Sequence, residues 1–170
     1  VDPQEAQVGV EHGQTDRRVF VGGEQGELVL DGFLGALALA DVHEGDDDAV
    51  NAGSHSVSSF RIRPDGLDLV DTMPSGGTMP TSIAFRNGLL YVLNAGAPNN
   101  VTGFVVNSRG RLTPLAGSTR PLSAAATSPA QVAFSDDGNS LIVTERATNL
   151  IDTYAIDDDG YLTGPFVHLS

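Results

Sequence analysis

Two adjacent residues have the types that acid–base chemistry needs: Glu145 and Arg146, in the string VTERATN. A positioned carboxylate can take a proton from a water or hydroxyl, and a neighbouring guanidinium can hold an anion or a developing oxyanion. The plainer alternative is a solvated ion pair at a strand end. His55, in NAGSHSV, has a side chain suited to proton relay near neutral pH; decoration of a loop is the competing account. Asn51 and Asn94 each open a NAG string. They are candidates for binding a substrate together with His55, against a structural role in which the side chain bonds the backbone of its own turn.

Other groups carry less. Asp157-Asp158-Asp159-Gly160 lacks the alternating ligand spacing and distal glutamate of a helix-loop-helix calcium site, so it reads as a hairpin turn. His43, Glu44 and Asp46–Asp48 form an acidic run with no second ligand placed opposite it. No metal site and no cofactor are expected. The chain has no cysteine, hence no disulfide, thiolate ligand or thiol nucleophile. A Gly-Xaa-Ser-Xaa-Gly elbow, a phosphate loop and a dinucleotide fingerprint are likewise missing from the sequence.

Charge narrows the partners. The net charge is −13 over 170 residues, and all nine basic residues are arginine. A nucleic-acid partner needs clustered positive charge, so none is expected. The sequence contains neither a bilayer-length apolar run nor a basic-then-apolar leader, so no membrane partner is expected and a cytoplasmic location is the default. Residues 1–49 hold twelve acids and two arginines, a net of −10; residues 50–170 hold the remaining −3.

The candidates must be positioned by something, and the sequence shows a repeat. Phe60, Phe104 and Tyr154 each stand six residues before a turn glycine, Gly66, Gly110 and Gly160. Val57, Val101 and Ile151 each stand three residues before those aromatics. Upstream, PTSIAF is echoed by PAQVAF, and LLYVLNAG by LIVTERAT. The turn glycines lie 44 and 50 residues apart. A unit of about 40–50 residues built of four short strands is the period of a β-propeller blade. Within it, Asn87-Gly88 between two β-rich runs marks a hairpin.

Residues 1–48 lack that pattern. Residues 1–15 are polar and without period; 18–21 and 27–30 could be short strands; 32–40 are apolar but interrupted by glycine. Three consecutive aspartates, Asp46–Asp48, stand where later repeats have an apolar second strand. Burying them carries a large desolvation cost, so the blade is expected to become regular only at Ala49. The organisation expected is an irregular acidic segment over 1–48 with a degenerate blade start, then a partial propeller over 49–170. The fold class is all-β, with about two and a half four-stranded antiparallel blades.

The ordered strings VNAGSHSVSSFRI, PSGGTMPTSIAF, LLYVLNAG, RLTPLAGSTRPLS and PAQVAFSDDGNSLIVTERATNLIDTYAIDDDG resemble the seven-bladed lactonase-type propellers, the family of 6-phosphogluconolactonase and the carboxymuconate-cyclising enzymes. The resemblance covers about residues 49–170. It implies a metal-independent hydrolase of a small acidic sugar or muconate-type lactone, with Glu145 and Arg146 near the central channel as catalytic residues. The family's proteins are about twice this length, so the activity is expected to be incomplete in this chain. The alternative is a non-catalytic binding propeller or an inactive fragment. In either case, apolar blade faces left bare are expected to drive self-association.

Topology places the candidates. In a four-stranded blade the loop between second and third strands shares a face with the blade-to-blade connection. Asn51–Ser56, Asn94–Asn100 and Glu145–Asn149 therefore belong to one face, and the Asp-Gly turns to the other. Loops held by a rigid scaffold are the usual place for binding groups.

Overall fold

The computed structural model describes residues 37–39, 46–63 and 66–170. The strands expected at 18–21 and 27–30, the aperiodic residues 1–15, most of the apolar stretch 32–40, His43 and Glu44 of the acidic run, and the turn residues Pro64 and Asp65 lie outside the described residues.

Among the described residues the chain is all strand and turn, in three antiparallel sheets that follow one another along the sequence. The first sheet is β1 (Leu37–Leu39), β2 (Asp46–Asn51), β3 (Ser56–Arg63) and β4 (Gly66–Pro74). The second is β5 (Pro80–Arg86), β6 (Leu89–Asn94), β7 (Asn100–Val106), β8 (Leu112–Pro114) and β9 (Arg120–Pro121). The third is β10 (Pro129–Phe134), β11 (Ser140–Glu145), β12 (Leu150–Ile156) and β13 (Leu162–Leu169). Strand order follows sequence order in each sheet, with β9 pairing β7 beyond β8. This is the architecture of a partial propeller, its first blade opened by a strand of only three residues.

One expectation needs correction. The first blade's second strand begins at Asp46, three residues before Ala49, and the aspartates pair along β3: Asp46 with Arg61, Asp47 with Phe60, Asp48 with Ser59. Asp48 is buried, in register with the hydroxyl-bearing, fully buried Ser59. The ladder satisfies the backbone, and a polar neighbour stands where an apolar one would have excluded the acid. The second blade's outer strand opens at β8. It breaks after Pro114, turns through Gly117 at φ 75°, and resumes at Arg120.

Hairpin chemistry explains the local register. Asn87 and Gly88 have φ of 50° and 80°, the paired left-handed conformations of the tight turn that matches strand twist. Blades then pack through alternate side chains. Val50 and Val57 of the first blade meet Ile83, Leu90, Val92 and Phe104 of the second. Tyr91, Leu93 and Val101 on the opposite face of the second blade meet Val132, Leu141, Val143 and Tyr154 of the third.

Tyr91 pins this second seam. Its hydroxyl donates to the carbonyl of Gly160 at 2.6 Å, and its ring lies edge-on to Phe134 with centroids 6.4 Å apart. Gly103 makes room, since a Cβ there would stand 2.9 Å from the tyrosine ring. At the first seam the Ser59 hydroxyl donates in the same way to Gly110, the matching turn glycine. Tyr91→Phe should therefore lower stability by about 1–2 kcal/mol, the cost of an unmade buried hydrogen bond at unchanged packing. Urea unfolding at constant slope is the measurement; an unchanged midpoint would show that the bond contributes nothing.

Candidate active site

Strand register puts three residues in one structural position. Asn51 ends β2 opposite Ser56, Asn94 ends β6 opposite Asn100, and Glu145 ends β11 opposite Leu150. Two residues further along each third strand stand Ser58, Thr102 and Asp152, opposite Ala49, Val92 and Val143. Residues two apart share a sheet face, so each blade carries a polar pair on one face at its loop end. The pairs are Asn51 with Ser58, Asn94 with Thr102, and Glu145 with Asp152.

In the first two blades the pair is neutral and occupied with structure. Asn51 Nδ2 donates to Ser56 Oγ and Ser58 Oγ at 3.2 and 2.9 Å. Asn94, fully buried, donates through Nδ2 to the Ser75 carbonyl in the connection before its blade and to Asn100 Oδ1. His55 sits at φ 55° in its loop, exposed, and its Nδ1 accepts the backbone N–H of Met79 at 3.0 Å. Asn99 does the equivalent work one blade on, its Oδ1 accepting the Thr127 N–H at 2.6 Å.

The third blade replaces the neutral pair with two carboxylates. Glu145 is 3 % exposed and Asp152 is fully buried. Both accept from one residue, Ser123, in the connection between β9 and β10. The Ser123 amide donates to Asp152 Oδ2 at 2.8 Å and to Glu145 Oε1 at 3.2 Å. The Ser123 hydroxyl donates to Glu145 Oε2 at 2.6 Å, and the Thr148 hydroxyl reaches the same oxygen at 2.5 Å. Asp152 Oδ1 is buried and receives no hydrogen bond.

This geometry separates the two acids electrostatically. Burial pushes the Asp152 carboxyl up to about 6, reinforced by its hydrogen bond to Glu145 and by the Glu145 charge. Burial also raises Glu145, but the hydrogen bonds from Ser123 and Thr148 outweigh it and hold that carboxyl below its ordinary value. Two like charges in one low-dielectric volume titrate as a pair, the second proton being held more tightly than either alone. Tyr154, whose hydroxyl donates to the Pro121 carbonyl at 2.8 Å, is raised by burial and then by both carboxylates.

The five residues singled out from sequence do not form one cluster: none of their hydrogen bonds joins one to another. Arg146 is exposed, and its Nε donates to the Ser128 carbonyl at 3.4 Å rather than to Glu145. Sequence reasoning missed Asp152, Ser123 and Thr148. A signal for Asp152 was present, because VSSF, VTGF and IDTY align and only the third has an acid in the slot. A concavity of about 410 Å³ lies between strands β5 and β10, with Ser82, Arg86, Gln131 and Asp136 in its lining. Arg86 is spent there on the carbonyls of Ser135 and Asp136.

Known structures resemble the fold. A provisionally assigned 6-phosphogluconolactonase from Bacteroides fragilis superposes with a TM-score of 0.62 at 22 % identity, over 70 % of this chain and 34 % of that one. Another, from Bacteroides uniformis, gives 0.63 at 17 %, over 74 % and 37 %. A protein of unknown function from Desulfotomaculum acetoxidans gives 0.61 at 21 %, over 72 % and 38 %. The shared feature is the fold, a partial β-propeller. The chain spans little more than a third of the length of these structures. No protein-family model matches it, and no curated protein matches it. Among the described residues no helix is long and apolar enough to cross a membrane.

Proposed function

We propose that the chain is part of a lactonase-like hydrolase that opens a small acidic sugar or muconate-type lactone at the loop face of the third blade. One observation carries this reading: two buried carboxylates occupy a position that neutral side chains fill in the other blades. Asn94 with Thr102 and Asn51 with Ser58 meet the structural demand of that position without charge. Burying an acid pair instead disfavours folding, and a proton acceptor for ring opening gives it a purpose. Arg146, exposed beside the pair, is placed in the role of holding the substrate's anionic group. Similarity to structures provisionally assigned as 6-phosphogluconolactonases supports the substrate class.

The second reading, a non-catalytic binding propeller, draws on the same hydrogen bonds. Glu145 is tied to Ser123 and Thr148, Asn51 to its own loop, and Asn94 and His55 to Ser75 and Met79 in the connection between the first two blades. Proton release on ring opening of glucono-δ-lactone and a muconolactone, followed at constant pH above the spontaneous rate, separates the two. Hydrolysis lost in Glu145→Gln supports the enzyme; no turnover by folded protein supports the binding module.

Self-association belongs to the same proposal. Leu69 on β4 is 62 % exposed, and on β13 Phe166 and Leu169 are 51 % and 88 % exposed, so both terminal blades present apolar side chains. The 170-residue chain is expected to sediment as oligomers and to bind a hydrophobic dye. A compact monomer without dye binding would refute this.

A further inference from the structure

We propose that Ser123 is the nucleophile of this site, attacking a lactone or ester carbonyl while the Glu145–Asp152 pair takes its proton. The proposal rests on the lactonase-like reading for its substrate class, whereas the geometry that carries it does not.

Ser123 follows the buried Leu122 and precedes the exposed Ala124–Ala126. The residue is partly exposed while its acceptor is buried, so it stands between solvent and the carboxylates. Its amide bonds both acids and fixes its backbone; its hydroxyl points at Glu145 Oε2 over 2.6 Å. Nucleophile, base and a third group bearing on the base are the elements of an activated hydroxyl. The first connection supplies a contrast within the molecule. There Ser75 is fully buried, its hydroxyl donates to the Gly77 carbonyl at 3.3 Å, and the neutral Asn94 faces it.

Why two acids are needed follows from basicity. A lone ionised glutamate is a weak acceptor for a hydroxyl proton. A pair sharing one volume holds its second proton about as tightly as an imidazole does, and the buried, donorless Asp152 Oδ1 is the acceptor that such a proton would satisfy. Surrounding charges do not neutralise the pair otherwise. Arg120 donates to the carbonyls of Leu162, Gly117 and Thr119, Arg146 to that of Ser128, and the Tyr154 hydroxyl to that of Pro121.

The chemistry balances. Ser123 Oγ bonds the carbonyl carbon as its proton passes to the pair. The ring C–O bond breaks, the pair returns that proton to the leaving alkoxide, and an acyl-serine remains. A water then attacks the acyl carbon, its proton passes through the pair to Ser123 Oγ, and a hydroxy acid is released. One water is consumed per lactone.

Both elements of the site lie within this chain, so the chain itself is the test object. A serine-directed fluorophosphonate is expected to label Ser123, located by peptide mass. Labelling should be absent in Ser123→Ala and at least tenfold slower in Glu145→Gln, with circular dichroism confirming the sheets. It should quicken as pH rises through about 6, where Asp152 gives up its proton. The wild-type result needs no variant: folded protein unlabelled at Ser123 overturns the proposal, as does an equal rate in Glu145→Gln. Glucono-δ-lactone turnover measured in parallel isolates the underlying reading. Labelling of Ser123 without turnover of any lactone sinks the lactonase and keeps the nucleophile. Turnover that survives Ser123→Ala does the reverse.

Discussion

Glu145→Gln is expected to lower lactone hydrolysis, in the protein's full-length context, by about a hundredfold or more, the usual range for losing a general base. The fold should survive, and the molecule itself says why. Asn94 and Asn51 hold the same register position with an amide, Asn94 fully buried. A glutamine keeps one carbonyl oxygen for the Ser123 amide, and its NH2 group can donate to the orphaned Asp152 oxygen. Loss of turnover with an unchanged melting temperature is therefore the predicted pattern. Full turnover in a folded variant would remove Glu145 from the chemistry and place the proton acceptor elsewhere. Loss of the fold itself would mean that the carboxylate is needed to dock the β9–β10 connection.

Stability should fall as pH rises from about 4 to 6, and Asp152→Asn should abolish that fall. In the folded chain Asp152 holds its proton up to about 6, against about 3.9 for an unfolded aspartate. The native state then binds more protons than the unfolded state across that window. The contribution is complete below the unfolded value and is lost as pH passes through the folded one. Glu145, displaced downward, acts oppositely and at lower pH, adding stability as it ionises. Two pH units correspond to ~3 kcal/mol, an upper bound for a coupled pair. Denaturant midpoints at pH 4.5 and 7.5 for both proteins are the measurement. A wild type no less stable at pH 7.5 than at pH 4.5 would show that the acids do not share a proton. A slope surviving in Asp152→Asn would place its origin elsewhere.

The repeat made the architecture legible. The aromatic-to-glycine spacing, the Asn87-Gly88 hairpin and the PTSIAF/PAQVAF echo rest on local chemistry, namely turn conformation and side-chain alternation. Strands β3, β5–β7 and β10–β13 follow from them within a residue or two. The Asp46–Asp48 run misled because an apolar pattern was required of a strand whose ladder partner is the polar stretch around Ser59. The break between β8 and β9 escaped because a strand interrupted and resumed leaves no periodic signal.

Sequence alone determined the blade, its period and the end of the blade at which Glu145 stands; the equivalence of Glu145 with Asn51 and Asn94 came from strand register, since the LLYVLNAG/LIVTERAT echo sets Asn94 against Arg146. Sequence left Glu145 unpaired with Asp152, although the VSSF/VTGF/IDTY slot carried a signal, and could not pair it with Ser123, 22 residues back, a separation that is no strand or turn repeat. Tertiary structure decided both. Antiparallel pairing of β11 with β12 brings the acids to one face, and packing of the third blade on the second buries them against the connection that carries Ser123. The chemistry of the pair lies in that burial: apart and solvated they are ordinary acids, and together in the seam burial holds the Asp152 proton more tightly.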